Sequence, residues 1–122
     1  MNIKNNKGAA LVELALTLLL LLTIVFGIFE YGRVMYTINT LNHVAREGAR
    51  RAAVSPPPIN IDAIVENSIH FDNPEIAITI SNSAPGSGEP VTVTVTLPFQ
   101  GLTGLVPVPA TLRGKATMRY EL

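Results

Sequence analysis

The chain has 122 residues, nine basic and nine acidic side chains, a formal charge of zero and no cysteine. These values exclude a nucleic-acid binder driven by phosphate neutralisation, a disulfide framework, a thiolate zinc site and a cysteine nucleophile. Apolar residues make up 48% and charged residues 15%, which fits a small membrane-anchored globular chain rather than a disordered one.

The leader Met1–Lys7 carries Lys4 and Lys7 and no acid. Gly8 follows, then Ala9-Ala10-Leu11-Val12-Glu13, and from Leu14 to Phe29 there is no charge. Ala9–Phe29 covers roughly 21 residues, close to the ~20 needed to cross a bilayer core as an α-helix. The basic leader predicts a cytoplasmic N-terminus with the rest of the chain carried across, although Arg33, Arg46, Arg50 and Arg51 on the far side count against that bias. A secretory signal peptide has a similar outline. The apolar run exceeds the usual h-region, however, and Phe29-Glu30-Tyr31-Gly32-Arg33 offers no A-x-A cleavage site.

An acidic residue in such a span costs roughly 2.5–3.5 kcal/mol on insertion scales, so Glu13 invites a functional explanation. A bond after Gly8, at the mouth of the span, is accessible to a membrane-embedded protease because glycine lets the backbone extend. Cleavage there removes Lys4 and Lys7, leaving side-chain charge −2 from the nine acids and the remaining bases. It also creates a new α-amino cation at Ala9 that a neighbour's Glu13 can meet at similar depth. The bland alternative is that Glu13 sits among lipid headgroups.

The helical pattern continues past the span. Tyr31, Val34, Met35, Ile38, Leu41, Ala45, Ala49 and Ala52 recur at steps of three and four, with Glu30, Arg33, Arg46, Glu47, Arg50 and Arg51 largely between them. One helix from about Ala9 to Ala53 is roughly 68 Å long. Pro56-Pro57-Pro58 ends it. Ala45, Gly48, Ala49 and Ala52 fit close approach to the chain's own sheet, the preferred reading, or small-xxx-small contact between subunits. Gly27 and Gly32 mark points of bending or close packing.

Ile59–Phe71 has helical spacing behind a possible Asn60 or Asp62 cap and predicts a short helix. Glu75–Asn82 and Val91–Leu97 alternate as strands on either side of the Ala84–Gly88 turn, forming a hairpin. Pro98–Ala110 is an apolar, irregular loop; the preferred reading is that it tucks under the sheet, the alternatives being a partner contact or a membrane-surface contact, and Thr111–Leu122 supplies a third strand. The predicted fold class is α+β: a long N-terminal helix packed on a small antiparallel three-stranded sheet, with one short extra helix.

No reactive cluster accompanies this layout. His43 and His70 lack partners at metal-ligand spacing, and the serines have no nucleophile-elbow context. Pro85-Gly86-Ser87-Gly88-Glu89-Pro90 has glycines suited to an anion but no following lysine, and reads as a hairpin turn. The expectation is a chain that is not an enzyme and uses no cofactor or metal.

Three stretches carry a family resemblance: Gly8-Ala9-Ala10-Leu11-Val12-Glu13-Leu14-Ala15-Leu16, Phe26-Gly27-Ile28-Phe29-Glu30-Tyr31-Gly32-Arg33 and Ala45-Arg46-Glu47-Gly48-Ala49-Arg50. The chain resembles a type IV pilin-like prepilin, and more closely the TadE-like minor pilins, or pseudopilins, of the tight adherence (Tad, Flp) pilus system. The resemblance implies a pilin-like fold and a prepilin leader 1–8, cut by a prepilin peptidase between Gly8 and Ala9. The segments that follow are a transmembrane helix 9–29, its amphipathic continuation 30–54 and a small extracytoplasmic domain 55–122. It further implies that Glu13 is the acidic assembly residue. The implied partners are the major pilin, other minor pilins, the pilus assembly platform and membrane lipid, with the chain single-pass in the bacterial inner membrane. One departure is Leu18–Leu22, all leucine where many relatives carry proline; the span is stiffer for it. Two other classes remain open: an uncleaved single-pass anchor presenting a binding module, and, ranked last, a membrane-bound enzyme.

Overall fold

The computed structural model describes residues 6–60 and 76–122, which contain one α-helix and three strands. The helix α1 runs Asn6–Ala52, followed by β1 (Ala77–Ile80), β2 (Pro90–Pro98) and β3 (Thr111–Arg119). This is the α+β layout expected. Strand β1 is shorter than Glu75–Asn82 suggested, and β3 stops before Tyr120. Most of the expected short helix lies at 61–75, outside the described residues; Ile59 and Asn60, at its start, are not helical.

Two compact units divide the chain, one of residues up to Arg33 with Gly101–Pro107, the other of Val34–Gln100 with Val108–Leu122. The second unit holds the core. Val34, Leu41, Val44, Ala45, Ala49 and Ala52 of α1 are buried with Val91, Val93, Val95 and Leu97 of β2 and Leu112 of β3. The small residues are therefore covered inside the chain, in agreement with close approach to its own sheet. Two core expectations fail: Tyr31 is 62% and Met35 38% exposed. Val34 is buried as expected, and Thr37, outside the expected stripe, is buried with it.

The sheet order is β1-β2-β3, antiparallel throughout. Alternation puts every second β2 side chain, Val91, Val93, Val95 and Leu97, into the core, while Thr92, Thr94 and Thr96 face the other way. On that second face Thr92 and Thr117 share a 2.8 Å hydroxyl bond, and Thr96 donates to the Ala77 carbonyl. In the register, Gly114 lies opposite Val95. A Cβ on Gly114 would overlap the carbonyl group of Leu41 and come within 2.6 Å of Asn42 N. Only glycine lets β3 touch the helix backbone here.

Helix α1 closes with tightened bonds from Val54 N to Arg51 O and Ser55 N to Ala52 O, and the Ser55 hydroxyl donates back to Arg51 O at 2.7 Å. Arg50 and Arg51 occupy its last turn, at the negative end of the dipole. Hydrogen bonds from these guanidiniums, Arg50 first, hold the Glu47 carboxyl below the usual carboxylate range.

The C-terminus returns to the helix end. Glu121 N donates to Ala53 O at 3.0 Å, and the buried Tyr120 sends its hydroxyl to Ser55 O at 3.0 Å. Tyr120→Phe removes that donor and leaves the carbonyl part-buried. The expected loss is about 1 kcal/mol of stability, read as a lower denaturant midpoint for the full chain in detergent.

Candidate functional site

The residues expected to carry function lie in the first turns of α1. Asn6–Ala52 is long and apolar enough to cross a membrane. Leu11, Leu14, Leu16 and Leu18–Leu22 are all exposed, as lipid-facing side chains would be. Only Glu13, Thr17 and Thr23 interrupt the apolar run Ala9–Phe29 with polar side chains. Both threonines bond to their own helix: Thr17 Oγ1 donates to Glu13 O and Thr23 Oγ1 to Leu19 O, each at 2.8 Å. Among the described residues the exposed Glu13 carboxylate has no hydrogen-bond or ion-pair partner. Of the three polar side chains in the span, it is the one without a partner among the described residues.

Gly8 and Ala9 are exposed and helical, and a Cβ on Gly8 would meet nothing within 4 Å. A protease that reads an extended backbone has first to unwind this end of α1. Glycine lowers that cost by about 1 kcal/mol relative to alanine. Gly8, Ala9 and Glu13 thus share one exposed helical stretch, with no pocket or reactive group assembled around them among the described residues.

A second carboxylate, Glu30, emerges from the structure. The sequence reading assigned it to the polar side of the helix, yet it is 2% exposed. Its Oε1 accepts from Leu102 N at 2.8 Å, its Oε2 from the Thr103 hydroxyl at 3.5 Å, and Arg33 Nη1 lies 3.7 Å from Oε1. A signal was available: Glu30, Val34, Thr37, Leu41 and Val44 follow steps of three and four, so the buried stripe of α1 begins with an acid. The ends of the loop add the buried Phe99 and the half-buried Val108 to the core, as expected, whereas its middle meets this carboxylate and leaves Leu102 and Leu105 exposed. Of the two helix glycines, Gly27 faces the loop, where a Cβ would make an ordinary contact with Val106 Cγ2 at 3.8 Å, whereas a Cβ on Gly32 would enter open space.

The glycine turn resembling an anion site is filled from within. Gly86 N donates to Glu89 Oε2 at 2.9 Å and Asn82 Nδ2 to the same oxygen at 3.2 Å, while Gly88 adopts a φ of +82° that the turn requires. The chain's own carboxylate takes the place an external anion would need. His43 is exposed on α1, and His70 lies outside the described residues.

No curated protein and no solved structure matches the chain. The family model of TadE-like proteins matches residues 8–50, a range that starts at Gly8, contains Glu13 and Glu30, and ends in the small-residue turns of α1. Such similarity points to a protein associated with the tight adherence pilus and to pilus-related protein partners. Residues 8–50 of this chain are TadE-like.

Proposed function

We propose that this chain is a minor pilin, or pseudopilin, needed to assemble a tight adherence type IV pilus. A prepilin peptidase cuts it between Gly8 and Ala9, and it then joins the major pilin and other minor pilins through its N-terminal helix at the assembly platform. It is anchored in the bacterial inner membrane with its N-terminus cytoplasmic, and it does no catalysis of its own. The observation that carries this reading is the Glu13 carboxylate, without a partner among the described residues, in an apolar span whose two threonines bond to their own helix. Cleavage four residues upstream of Glu13, at Ala9, makes an ammonium group at similar depth, and each charge lowers the other's cost of leaving water. The family match over residues 8–50 supports the same assignment.

N-terminal sequencing of the protein from cells with and without an active prepilin peptidase is the direct test. The expected result is a chain starting at Ala9 when the peptidase is present and at Met1 when it is absent. A chain that keeps Met1–Gly8 beside an active peptidase refutes the pilin assignment and leaves an uncleaved single-pass anchor carrying a small binding domain.

A further inference from the structure

Besides the span, the molecule has a second exposed apolar element, the connection between β2 and β3. From Pro90 to Leu112 the chain contains no charged residue, and Gly101–Pro107 belongs to the same compact unit as the first part of α1. Two contacts fix its level along the helix: Leu102 N–H donates to Glu30 Oε1 at 2.8 Å, and Val106 approaches Gly27. Gly27 and Glu30 are about 4.5 Å apart along the axis at 1.5 Å per residue, so the loop lies across the last turn of the uncharged run that ends at Phe29.

The backbone of this loop is held while its large side chains are not covered. Leu102 is 75% and Leu105 62% exposed, and Phe26 and Phe29 are exposed on the helix at the same level. In water such a display is unfavourable, and a loop of this composition would normally turn its leucines inward. The opposite has happened to the acid beside it. Glu30, which would be costly to expose at a lipid boundary, is enclosed by the Leu102 amide, the Thr103 hydroxyl and Arg33. Hiding the carboxylate and showing the leucines is the arrangement suited to the edge of a bilayer.

We propose that Gly101–Pro107 is a second membrane contact: Leu102 and Leu105 enter the interfacial layer at the C-terminal end of the span, and Glu30 clamps the loop there. The occupant of this apolar surface is lipid, because the surface is continuous with the exposed apolar face of the helix and lacks any charge that would pair with a protein. This inference rests on reading the apolar part of α1 as membrane-spanning.

Because the chain has no native cysteine, Leu102→Cys, Leu105→Cys and, within the span, Leu20→Cys each give one site for an environment-sensitive fluorophore. The full chain is reconstituted in vesicles of phosphatidylethanolamine and phosphatidylglycerol, and quenching by brominated lipid is compared with quenching by aqueous iodide. The expected lipid quenching at positions 102 and 105 is roughly half of that at position 20 or more, given the shallower depth of the interfacial layer. Adding Glu30→Ala should raise iodide quenching at position 102 by about twofold, since it removes the acceptor that holds the loop.

Full iodide quenching at 102 and 105, with position 20 still quenched by lipid, overturns the loop contact and leaves the span intact. Protection at 102 and 105 from both quenchers also overturns it, because a protein surface then covers the leucines. Absence of lipid quenching at position 20 overturns the spanning helix itself.

Discussion

Gly114→Ala is expected to destabilise the folded chain by about 3 kcal/mol or more, the upper end of the usual cost of overpacking. The reason is the identity of the obstructing atoms. The added methyl meets the Leu41 carbonyl and Asn42 N, which are helix backbone, and backbone cannot rotate away as a side chain can. Either β3 withdraws from the helix or the helix bends. Withdrawal would stretch the bond from Lys115 N to the Asn42 side-chain oxygen, already 3.4 Å long, and loosen Leu41, which is fully buried. Gly86→Ala is the matched control, since its Cβ meets only Glu89 atoms at 3.5 Å and beyond, an ordinary contact; a change within about 0.5 kcal/mol is expected there. Denaturant unfolding of both variants in detergent, read by circular dichroism, checks the pair. Equal midpoints for Gly114→Ala and the unsubstituted chain would contradict the backbone contact.

Glu13→Leu is expected to leave membrane insertion and cleavage intact while abolishing assembly. Leucine suits the span better than glutamate, so insertion improves if it changes at all. If Glu13 pairs with the α-amino group of an adjacent subunit, the substitution strands that cation in an apolar setting. Truncating one partner of a buried charge pair costs about 2–5 kcal/mol, and 1.4 kcal/mol is tenfold in affinity, so co-purification with pilus partners should fall by about tenfold or more. Glu13→Asp keeps the charge and should restore part of the loss; Glu13→Gln, isosteric but neutral, should not. Normal piliation by the leucine variant would sink the role assigned to Glu13, whereas loss of cleavage would reassign the residue to peptidase recognition.

Much of this architecture is readable from residue periodicity. The uninterrupted helix and the prolines that stop it follow from local rules, and α1 at Asn6–Ala52 departs from the expected Ala9–Ala53 by at most three residues at either end. The threonine and valine alternation of β2 likewise specifies one buried face. Errors arise where apolar character has two meanings. Tyr31 and Met35 are apolar enough for a core but face outward, and hydropathy does not distinguish a core-facing from a lipid-facing side chain. Leu102 and Leu105 mislead in the same way. Glu30 is a mixed case: its step of four to Val34 aligns it with the buried stripe, but the backbone amide that satisfies its carboxylate is 72 positions away in the chain, a partner no local pattern identifies. Gly114 is a different case: a glycine in mid-strand does signal close approach, but alternation analysis treats it as a blank. At the N-terminus, Gly8 and Glu13 are conspicuous in the sequence because charge and glycine are rare there, and the structure adds the absence of an internal partner for the acid among the described residues.

The hydroxyls of Thr17 and Thr23, each spent on a carbonyl of its own helix, leave the stretch from Leu14 to Val25 with no free polar group to distinguish one height from another. Two such rods lying side by side in lipid could slip by a full turn and keep nearly the same dispersion contacts, because leucine replaces leucine. On the proposed assembly and loop contact, their vertical stagger would be set from the rim: by the carboxylate at one extremity and by the clamped loop at the other, like a ruler graduated only at its two ends.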